Sequence, residues 1–507
     1  MDSLLSLFGA FGTVFQPEYL LYCFIGAAVG TAVGVLPGLG PAVTMSLLLP
    51  IVWALGDPVG AIIMFCGIFL GAMYGGSTTS ILLSTPGESS SVVSVLDGYR
   101  MTKAGRGGAA LLTSAVGSFV AGVITTFALT LIAQPLVHFA LSFGPPEYFA
   151  FAVLALATTS MLGGRPLKAT FSALLGLAIG TVGIDTLSGT NRFTYGVLAI
   201  YNGIDFELVT IGLYAVVEVL FVVGTMRLAA RQRAATVGKL YMTKEEWRRS
   251  APAWLRGTGL GFFTGVLPGA GATVASYLSY GLERSISKTP ERFGRGKGMI
   301  EGLAAPEAAN NAASQGALVP LLTLGIPPTA ATAVMLGALQ GFGVKTGPLL
   351  LRDNPDFVWA IVASLLIGNI LLLILNVPLI GVWVRLLKVP TALLAPMILV
   401  ISTVGVFSLS RNTADLVLML IFGAVGLLLR ICDIPLAPAV LGLVLGPLME
   451  AQWGRGLTVG RGDWTIFFST PLAIVILILA VIALFLPLIL KGFRGLGARR
   501  RERRAAR

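Results

Sequence analysis

The residues best suited to binding a small ion lie around a proline–glycine motif that occurs twice in the chain. Residues 34–40 read GVLPGLG and residues 265–271 read GVLPGAG, an offset of 231. Proline removes a helix hydrogen bond and glycine permits a tight turn, so each copy predicts a break in an apolar helix. The helix that follows such a break presents free N–H groups, which favour an anion. The candidate residues are Pro37, Gly38, Gly40 and Thr44 in the first copy, and Pro268, Gly269, Gly271 and Thr273 in the second.

A second pair of segments adds hydroxyl and amide side chains beside another break. Residues 82–105 read LLSTPGESSSVVSVLDGYRMTKAG and residues 322–347 read LTLGIPPTAATAVMLGALQGFGVKTG, and aligning Pro86 with Pro327 gives an offset of 241. Such side chains can donate to a carboxylate or, together with unwound carbonyls, ligate a small cation. The candidates are Ser77, Thr78, Thr79, Ser84, Thr85, Pro86, Gly87, Glu88 and Ser89 in the first copy, and Asn310, Asn311, Ser314, Gln315, Pro327 and Thr329 in the second.

Simple kinks and close packing are the alternative explanation for these motifs. The glycines at 26, 30 and 34, four residues apart, are interpreted as packing sites of that kind. Paired breaks in two halves of a chain, however, are the best sequence indication of a transporter's binding site. Two acids, Glu301 and Glu307, flank the second-copy amides. Either could serve a coupling cation, but a position in a cytoplasmic vestibule is the plainer expectation.

The elements that must position these residues are apolar helices. Of the 507 residues, 55% are hydrophobic and only 11% are charged, whereas soluble domains carry about 25% charged residues. Apolar stretches recur from end to end, so their solvent is expected to be lipid. The composition predicts an all-α polytopic membrane protein with about twelve transmembrane helices, plus several half-helices or re-entrant segments.

The repeat and the basic segments predict the organisation of the chain. We expect a first membrane repeat at residues 1–230, a basic linker at 231–252, a second membrane repeat at 253–490 and a basic tail at 491–507. The tail holds eight basic residues and one acid, and residues 227–256 hold another eight. Because both segments follow apolar stretches, the positive-inside rule places them in the cytoplasm. This distribution indicates contact with the lipid bilayer and argues against a nucleic-acid partner.

Motifs of several enzyme classes are missing from the sequence. It contains no GxxxxGK[ST] phosphate loop, no HExxH zinc motif, no CxxC pair and no GxSxG motif. Nucleotide hydrolysis through a phosphate loop is therefore excluded. We expect the chain not to be an enzyme, and we expect no resident metal or cofactor apart from a coupling cation.

The segments that carry the motifs resemble a known family, the large membrane subunit of tripartite tricarboxylate transporters (TctA-type). They read GVLPGLGP, YGGSTTSILLSTPGESSSVVSVLDGY, GVLPGAGATVASYLSYGLE and EGLAAPEAANNAASQGALVPLLTLGIPP. The resemblance covers essentially the whole chain, and the core motifs show no departure from it.

The resemblance implies a multi-pass permease subunit in the bacterial inner (cytoplasmic) membrane, and the basic tail predicts a cytoplasmic C-terminus. It implies two partners, a small four-helix membrane subunit and a periplasmic substrate-binding protein. It also implies uptake of tricarboxylates or dicarboxylates by symport with Na+ or H+, through an elevator-like movement of two inverted repeats. The resemblance leaves open whether the chain forms a homo-oligomer.

Three other functions stay open from the residues themselves. A stand-alone ion-coupled carrier would take its carboxylate directly from solution. A polytopic membrane enzyme acting on lipid-linked substrates would need a catalytic carboxylate pair or metal site, and the sequence shows none convincingly. A passive channel is disfavoured by the duplicated broken helices.

Overall fold

The computed structural model describes residues 2–36, 40–159, 166–185, 189–225, 237–269, 271–387 and 391–485. Helices form most of this part of the chain, and the strands found in it are a short antiparallel pair, β1 (Gly183–Ile184) and β2 (Asn191–Arg192). The prediction of an all-α protein is therefore confirmed. Pro37, Gly38, part of the predicted linker and the whole predicted tail lie outside the described residues.

The helices before the linker include both long apolar spans and shorter pieces. They are α1 (Asp2–Val14), α2 (Pro17–Val35), α3 (Pro41–Ala54), α4 (Pro58–Leu83), α5 (Val92–Lys103), α6 (Gly107–Ala140), α7 (Pro145–Thr159), α8 (Pro166–Gly180), α9 (Phe206–Ile211) and α10 (Val217–Thr225). A π-helical turn at Gly212–Val216 joins α9 to α10, so that Phe206–Gly224 forms one apolar span. Short 3-10 helices cover Ser89–Ser91 and Leu198–Ile200.

The helices after the linker show the same mixture. They are α11 (Lys244–Val266), α12 (Gly271–Ile286), α13 (Glu301–Gly316), α14 (Leu318–Leu324), α15 (Ala330–Gly341), α16 (Pro348–Asp353), α17 (Pro355–Asn376), α18 (Ile380–Leu386), α19 (Thr391–Ser410), α20 (Thr413–Ile431), α21 (Ala437–Val459) and α22 (Pro471–Phe485). Short 3-10 helices cover Pro290–Arg292 and Trp464–Phe468.

Six helices in the described part of the chain are long and apolar enough to cross a membrane. They are α2, α4, α6, Phe206–Gly224, α17 and α20. Further apolar helices of 10–17 residues, among them α3, α8 and α15, are shorter than a full span. An apolar span needs about 20 residues, so the short helices agree with the expected half-helices. The fold is that of a polytopic helical membrane protein.

Helix α2 packs backbone to backbone against α4, and α11 packs in the same way against α13. A Cβ atom added at Gly30 of α2 would lie 2.4 Å from the carbonyl oxygen of Ile68 in α4, and one added at Gly261 of α11 would lie 2.3 Å from that of Ala309 in α13. The same contact recurs one turn before and after, at Gly26 with Met64, Gly34 with Ala72, Gly257 with Ala305, and Gly265 with Ala313. Glycine is required here because any side chain would separate the helices. The packing role predicted for the glycines of α2 is confirmed.

The chain forms two compact units. The first contains residues 1–141 and 207–427, and it holds all of the predicted site residues that the structure describes. The second contains residues 142–206 and the chain from 428 onward. Within the second unit, Arg192 forms an ion pair with Glu450, and the rings of Trp453 and Phe467 stack at 4.5 Å. These units describe compactness rather than repetition, so the predicted repeat boundaries stay a prediction.

Candidate functional site

The helices α4 and α14 are both followed by a residue in the left-handed backbone conformation. α4 is followed by Ser84 with φ 60° and ψ 20°, and α14 is followed by Gly325 with φ 69° and ψ 25°. This left-handed conformation is uncommon for serine and easy for glycine. Four residues later, the side chains of Glu88 and Thr329 each cap the helix that begins there and form a capping box with it. Both pairs of equivalent residues are 241 apart.

The breaks of the two copies meet in space. The hydroxyl oxygens of Ser89 and Thr273 lie 3.0 Å apart, within hydrogen-bond distance. The backbone N–H of Gly269 donates to the carbonyl oxygen of Pro328 at 3.2 Å. A Cβ atom added at Gly271 would lie 3.7 Å from the methyl carbon of Thr329. The structure therefore brings together the second-copy proline–glycine break and the hydroxyl-bearing breaks of both copies.

The first-copy break also presses against α2. A Cβ atom added at Gly87 would lie 2.2 Å from the carbonyl oxygen of Gly34 and 2.7 Å from the hydroxyl oxygen of Thr79. Only glycine fits between them. The buried hydroxyl of Thr44 donates to the carbonyl of Gly40, the residue that precedes α3. The start of α3 is thus ordered by its own first turn.

The other predicted residues of the breaks differ in exposure. Ser84 and Ser89 are exposed, Thr85, Pro86 and Pro268 are half-buried, and Thr78 and Pro327 are buried. The site at the breaks is therefore exposed at Ser84 and Ser89, whereas it is buried on the side of α4.

Two of the three amides predicted on α13, those of Asn311 and Gln315, contact α6. Asn311 donates through Nδ2 to the hydroxyl of Ser118 at 2.7 Å. Thr125 and Thr126 both donate to Oε1 of Gln315, at 2.5 and 3.0 Å. The hydroxyl of Ser314 instead donates to the carbonyl of Asn310 in its own helix. Asn311 and Gln315 thus form a buried polar seam with Ser118, Thr125 and Thr126 of α6.

Several buried polar atoms of α13 have no hydrogen-bond partner among the residues that the structure describes. Asn310 is fully buried, yet neither its amide nitrogen nor its oxygen is paired. The same holds for Oδ1 of Asn311 and Nε2 of Gln315. Buried polar groups are nearly always hydrogen-bonded because an unpaired one is costly. The seam therefore retains binding capacity for a polar ligand.

Glu307 lies at one end of the seam and was expected in a vestibule. That expectation is wrong, because the Glu307 side chain is fully buried. Its carboxylate accepts hydrogen bonds from the hydroxyls of Ser77, Ser94 and Ser114, the last at 2.8 Å. Of these, only Ser77 was predicted as a site residue. Glu301, by contrast, is bound by the Arg249 guanidinium at 2.6 and 2.7 Å.

A charged group at the start of α11 lies outside the apolar spans. Burial of Glu246 opposes its ionisation, but the Thr243 backbone N–H donates to its carboxylate at 2.8 Å and the Arg106 guanidinium pairs with it. These bonds favour the charged form and hold the pKa of Glu246 below its ordinary value. The contact ties the linker end of α11 to the start of α6.

Comparison with known proteins agrees with the motifs. The sequence model of the Tripartite tricarboxylate transporter TctA family matches residues 20–441, a stretch that contains both copies of both motifs. The chain belongs to the TctA family. The predicted resemblance is confirmed, and the chain is a membrane component of a tricarboxylate transporter family. A transporter family also agrees with the expectation that the chain is not an enzyme.

Two similar proteins come from Agrobacterium vitis. One is an uncharacterised 52.8 kDa protein in the TAR-I ttuC′ 3′ region, 43% identical over 479 residues, which are 93% of this chain and 94% of that protein. The other is an uncharacterised protein in the TAR-II ttuC′ 3′ region, 42% identical over 229 residues, which are 45% of this chain and 94% of that protein. No solved structure matches the chain.

Proposed function

We propose that this TctA-family chain is the permease subunit of a binding-protein-dependent secondary transporter that imports small carboxylates with a cation gradient. The substrates are of the tricarboxylate or dicarboxylate type. The observation that carries the proposal is the meeting of the duplicated breaks, where Ser89 of one copy contacts Thr273 of the other.

The chemistry at this contact suits a carboxylate. The α12 helix begins at Gly271, so its first N–H groups and the positive end of its dipole lie beside the two hydroxyls. Free N–H groups at a helix start favour an anion, and hydroxyls can donate to its oxygens. A small carboxylate can therefore be held here by donors from both copies.

The recurrence of geometry supports two structural repeats. The glycine contacts on α2 and α11 are offset by 231 residues, and their partners on α4 and α13 by 241. The left-handed residues and capping boxes after α4 and α14 are also offset by 241. We propose that these repeats are inverted, and that one part of the protein carries the site across the membrane in an elevator-like movement.

The electrical cost of uptake argues for a coupling cation. Moving one charge across 100 mV corresponds to about 2.3 kcal/mol, so a trivalent anion that enters a negative interior faces roughly 7 kcal/mol. Cations that enter with the substrate remove this cost. We propose two partners, a small four-helix membrane subunit and a periplasmic binding protein, because the family is tripartite. We further propose that the chain lies in the bacterial inner membrane, and that its basic tail lies in the cytoplasm, as the positive-inside rule favours.

Uptake into proteoliposomes tests the proposal. The chain is reconstituted with its small membrane partner, the binding protein is added outside, and labelled carboxylates are offered under a sodium or a proton gradient. We expect accumulation that needs both the binding protein and one gradient. Accumulation without the binding protein would favour a stand-alone carrier, and no gradient-dependent accumulation of any carboxylate would refute the proposal.

Two variants test the site itself. Ser89→Ala and Thr273→Val remove the facing hydroxyls and should raise the KM for the carboxylate while leaving membrane insertion intact. Ser285→Ala is the matched control, because Ser285 is exposed on α12 and donates to a carbonyl of its own helix. Unchanged KM in both site variants would contradict the assignment of the site.

A further inference from the structure

Four helices converge on the carboxylate of Glu307. Glu307 itself lies on α13, and the three hydroxyls that contact it come from Ser77 on α4, Ser94 on α5 and Ser114 on α6. All four side chains are buried. The result is a cluster of five oxygen atoms, two from the carboxylate and three from hydroxyls, closed off from solvent.

This carboxylate lacks a basic partner. Among the ion pairs of the described residues, none involves Glu307, and the charged side chain that acts on it is another acid, Glu88. A buried carboxylate without a counter-charge is strongly unfavourable, even when it is hydrogen-bonded. The cluster therefore needs a proton or another cation to neutralise it, because the described residues supply no counter-charge.

Two of the cluster's three hydroxyls, those of Ser94 and Ser114, differ from other hydroxyls in α6, whereas Ser77 also donates to the carbonyl of Met73 at 3.3 Å. On α6, Thr113 and Thr130 donate to the carbonyl four residues earlier, as serine and threonine commonly do in helices. Ser94 and Ser114 instead direct their hydroxyls at Glu307. Their oxygen lone pairs are consequently available inside the cluster.

We propose that Glu307, Ser77, Ser94 and Ser114 form a binding site for a sodium ion. Oxygen-only ligands suit a small hard cation, and the hydroxyls can turn their lone pairs toward it when it binds. One carboxylate balances one positive charge, so the cluster matches a monovalent ion. A proton would need only a single acceptor, whereas five oxygens converge here.

The position of the site links the ion to the breaks. α4 ends at the first-copy break and α5 begins directly after it, so Ser77 and Ser94 lie on either side of the segment that carries Ser89. Glu307 belongs to the second copy. A sodium ion at this place holds the two copies together next to the substrate contact. The assignment of sodium as the coupling ion rests on the proposed function, whereas the binding of sodium at this cluster does not.

Sodium binding is measured on the purified full-length protein without substrate. Thermal unfolding is followed in detergent over a sodium chloride titration, with choline chloride keeping the ionic strength constant. A ligand that binds only the folded protein raises Tm with its concentration. We expect a saturable rise in Tm with sodium for the wild-type protein, and no such rise for Glu307→Gln. Glutamine keeps the shape and one acceptor oxygen, so a purely structural role of Glu307 would leave the sodium response in place.

Two more variants complete the test. Ser94→Ala removes one ligand and should raise the half-saturating sodium concentration about tenfold, which keeps the proposal testable if Glu307→Gln fails to fold. Glu301→Gln is the matched control, an acid on the same helix that is paired with Arg249, and it should keep the wild-type sodium response.

Several results would overturn the site. The first is a wild-type Tm that does not change with sodium. The second is a sodium-dependent rise in Tm that persists in both Glu307→Gln and Ser94→Ala. The third is a loss of this rise in Glu301→Gln that equals the loss in the site variants. A Tm that responds to pH through Glu307 but not to sodium would replace the sodium ion by a proton. Carboxylate uptake by Glu307→Gln with unaltered sodium dependence would refute the coupling role while leaving the proposed function intact. Sodium binding without any carboxylate uptake would refute the proposed function while leaving the sodium site intact.

Discussion

Replacing Gly261 by alanine should force α11 away from α13. The added Cβ would lie 2.3 Å from the carbonyl oxygen and 2.6 Å from the Cα of Ala309. Both of these are backbone atoms, so no side-chain rotation can relieve the clash. Ordinary contact begins at about 3.4 Å, and the two backbones must therefore separate by roughly 1 Å.

The size of the effect follows from this overpacking. Inserting a carbon into a well-packed interface typically costs about 1–3 kcal/mol. Because α13 carries Glu307 and the buried amides, its displacement also disturbs the hydrogen bonds to α6. We expect Gly261→Ala to lower the free energy of unfolding by at least this amount, and to lower Tm by several degrees.

The assay is thermal unfolding of the purified protein in detergent, with Gly259→Ala as the matched control. Gly259 lies on the same helix, is exposed, and has no atom within 4 Å of an added Cβ. Alanine is better than glycine inside a helix by up to about 1 kcal/mol, so this control should be neutral or slightly stabilising. Equal Tm values for the two variants would refute the backbone contact between α11 and α13.

Three further predictions concern contacts at helix ends. Arg256→Gln leaves the buried Glu283 carboxylate, 3% exposed, without the guanidinium that contacts it at 2.7 and 2.8 Å. Unfolding should become easier by about 1–3 kcal/mol, since Arg256 itself is partly exposed, and adding Glu283→Gln should restore part of the loss. Thr329→Ala removes the cap of α15 and should cost about 1 kcal/mol, whereas Thr329→Ser should not. Because the pKa of Glu246 is lowered in the folded protein, its contribution to stability is full at neutral pH and is lost as the pH falls below about 4.3. The Tm of Glu246→Gln should therefore fall less steeply with pH in this range than the wild-type Tm, and an equally steep fall would contradict the prediction.

Local sequence signals predicted the helices and their breaks well. The proline–glycine motifs that follow α2, α4 and α11 mark the ends of these three helices in short stretches of sequence. Glycines four residues apart define one helix face, which is why the packing role of those in α2 was predictable. The partner of that face was not, because the sequence does not state which backbone, here that of α4, lies against it.

The Glu307 cluster shows why the site was only partly predictable. Ser77 lies in a hydroxyl-rich run and was therefore predicted as a site residue. Ser94 and Ser114 lie outside that run, in helices with no such signal. Their contact with Glu307 depends on how α5 and α6 are rotated about their own axes, which no local pattern records. One signal was present, since Glu307, Asn311 and Gln315 recur every four residues and so share one face of an alanine-rich helix.

A polar stripe of this kind within an apolar chain implies a matching stripe on a neighbouring helix, because buried polar groups need partners. α6 supplies it with Ser114, Ser118 and Thr125. The two stripes are not fully matched, however, as Oδ1 of Asn311 and Nε2 of Gln315 are unpaired and Glu307 has no counter-charge among the described residues. A seam that served packing alone would gain stability by losing these groups. Their presence beside the duplicated breaks is what favours ligand binding over structural support as the reason for this polar interior.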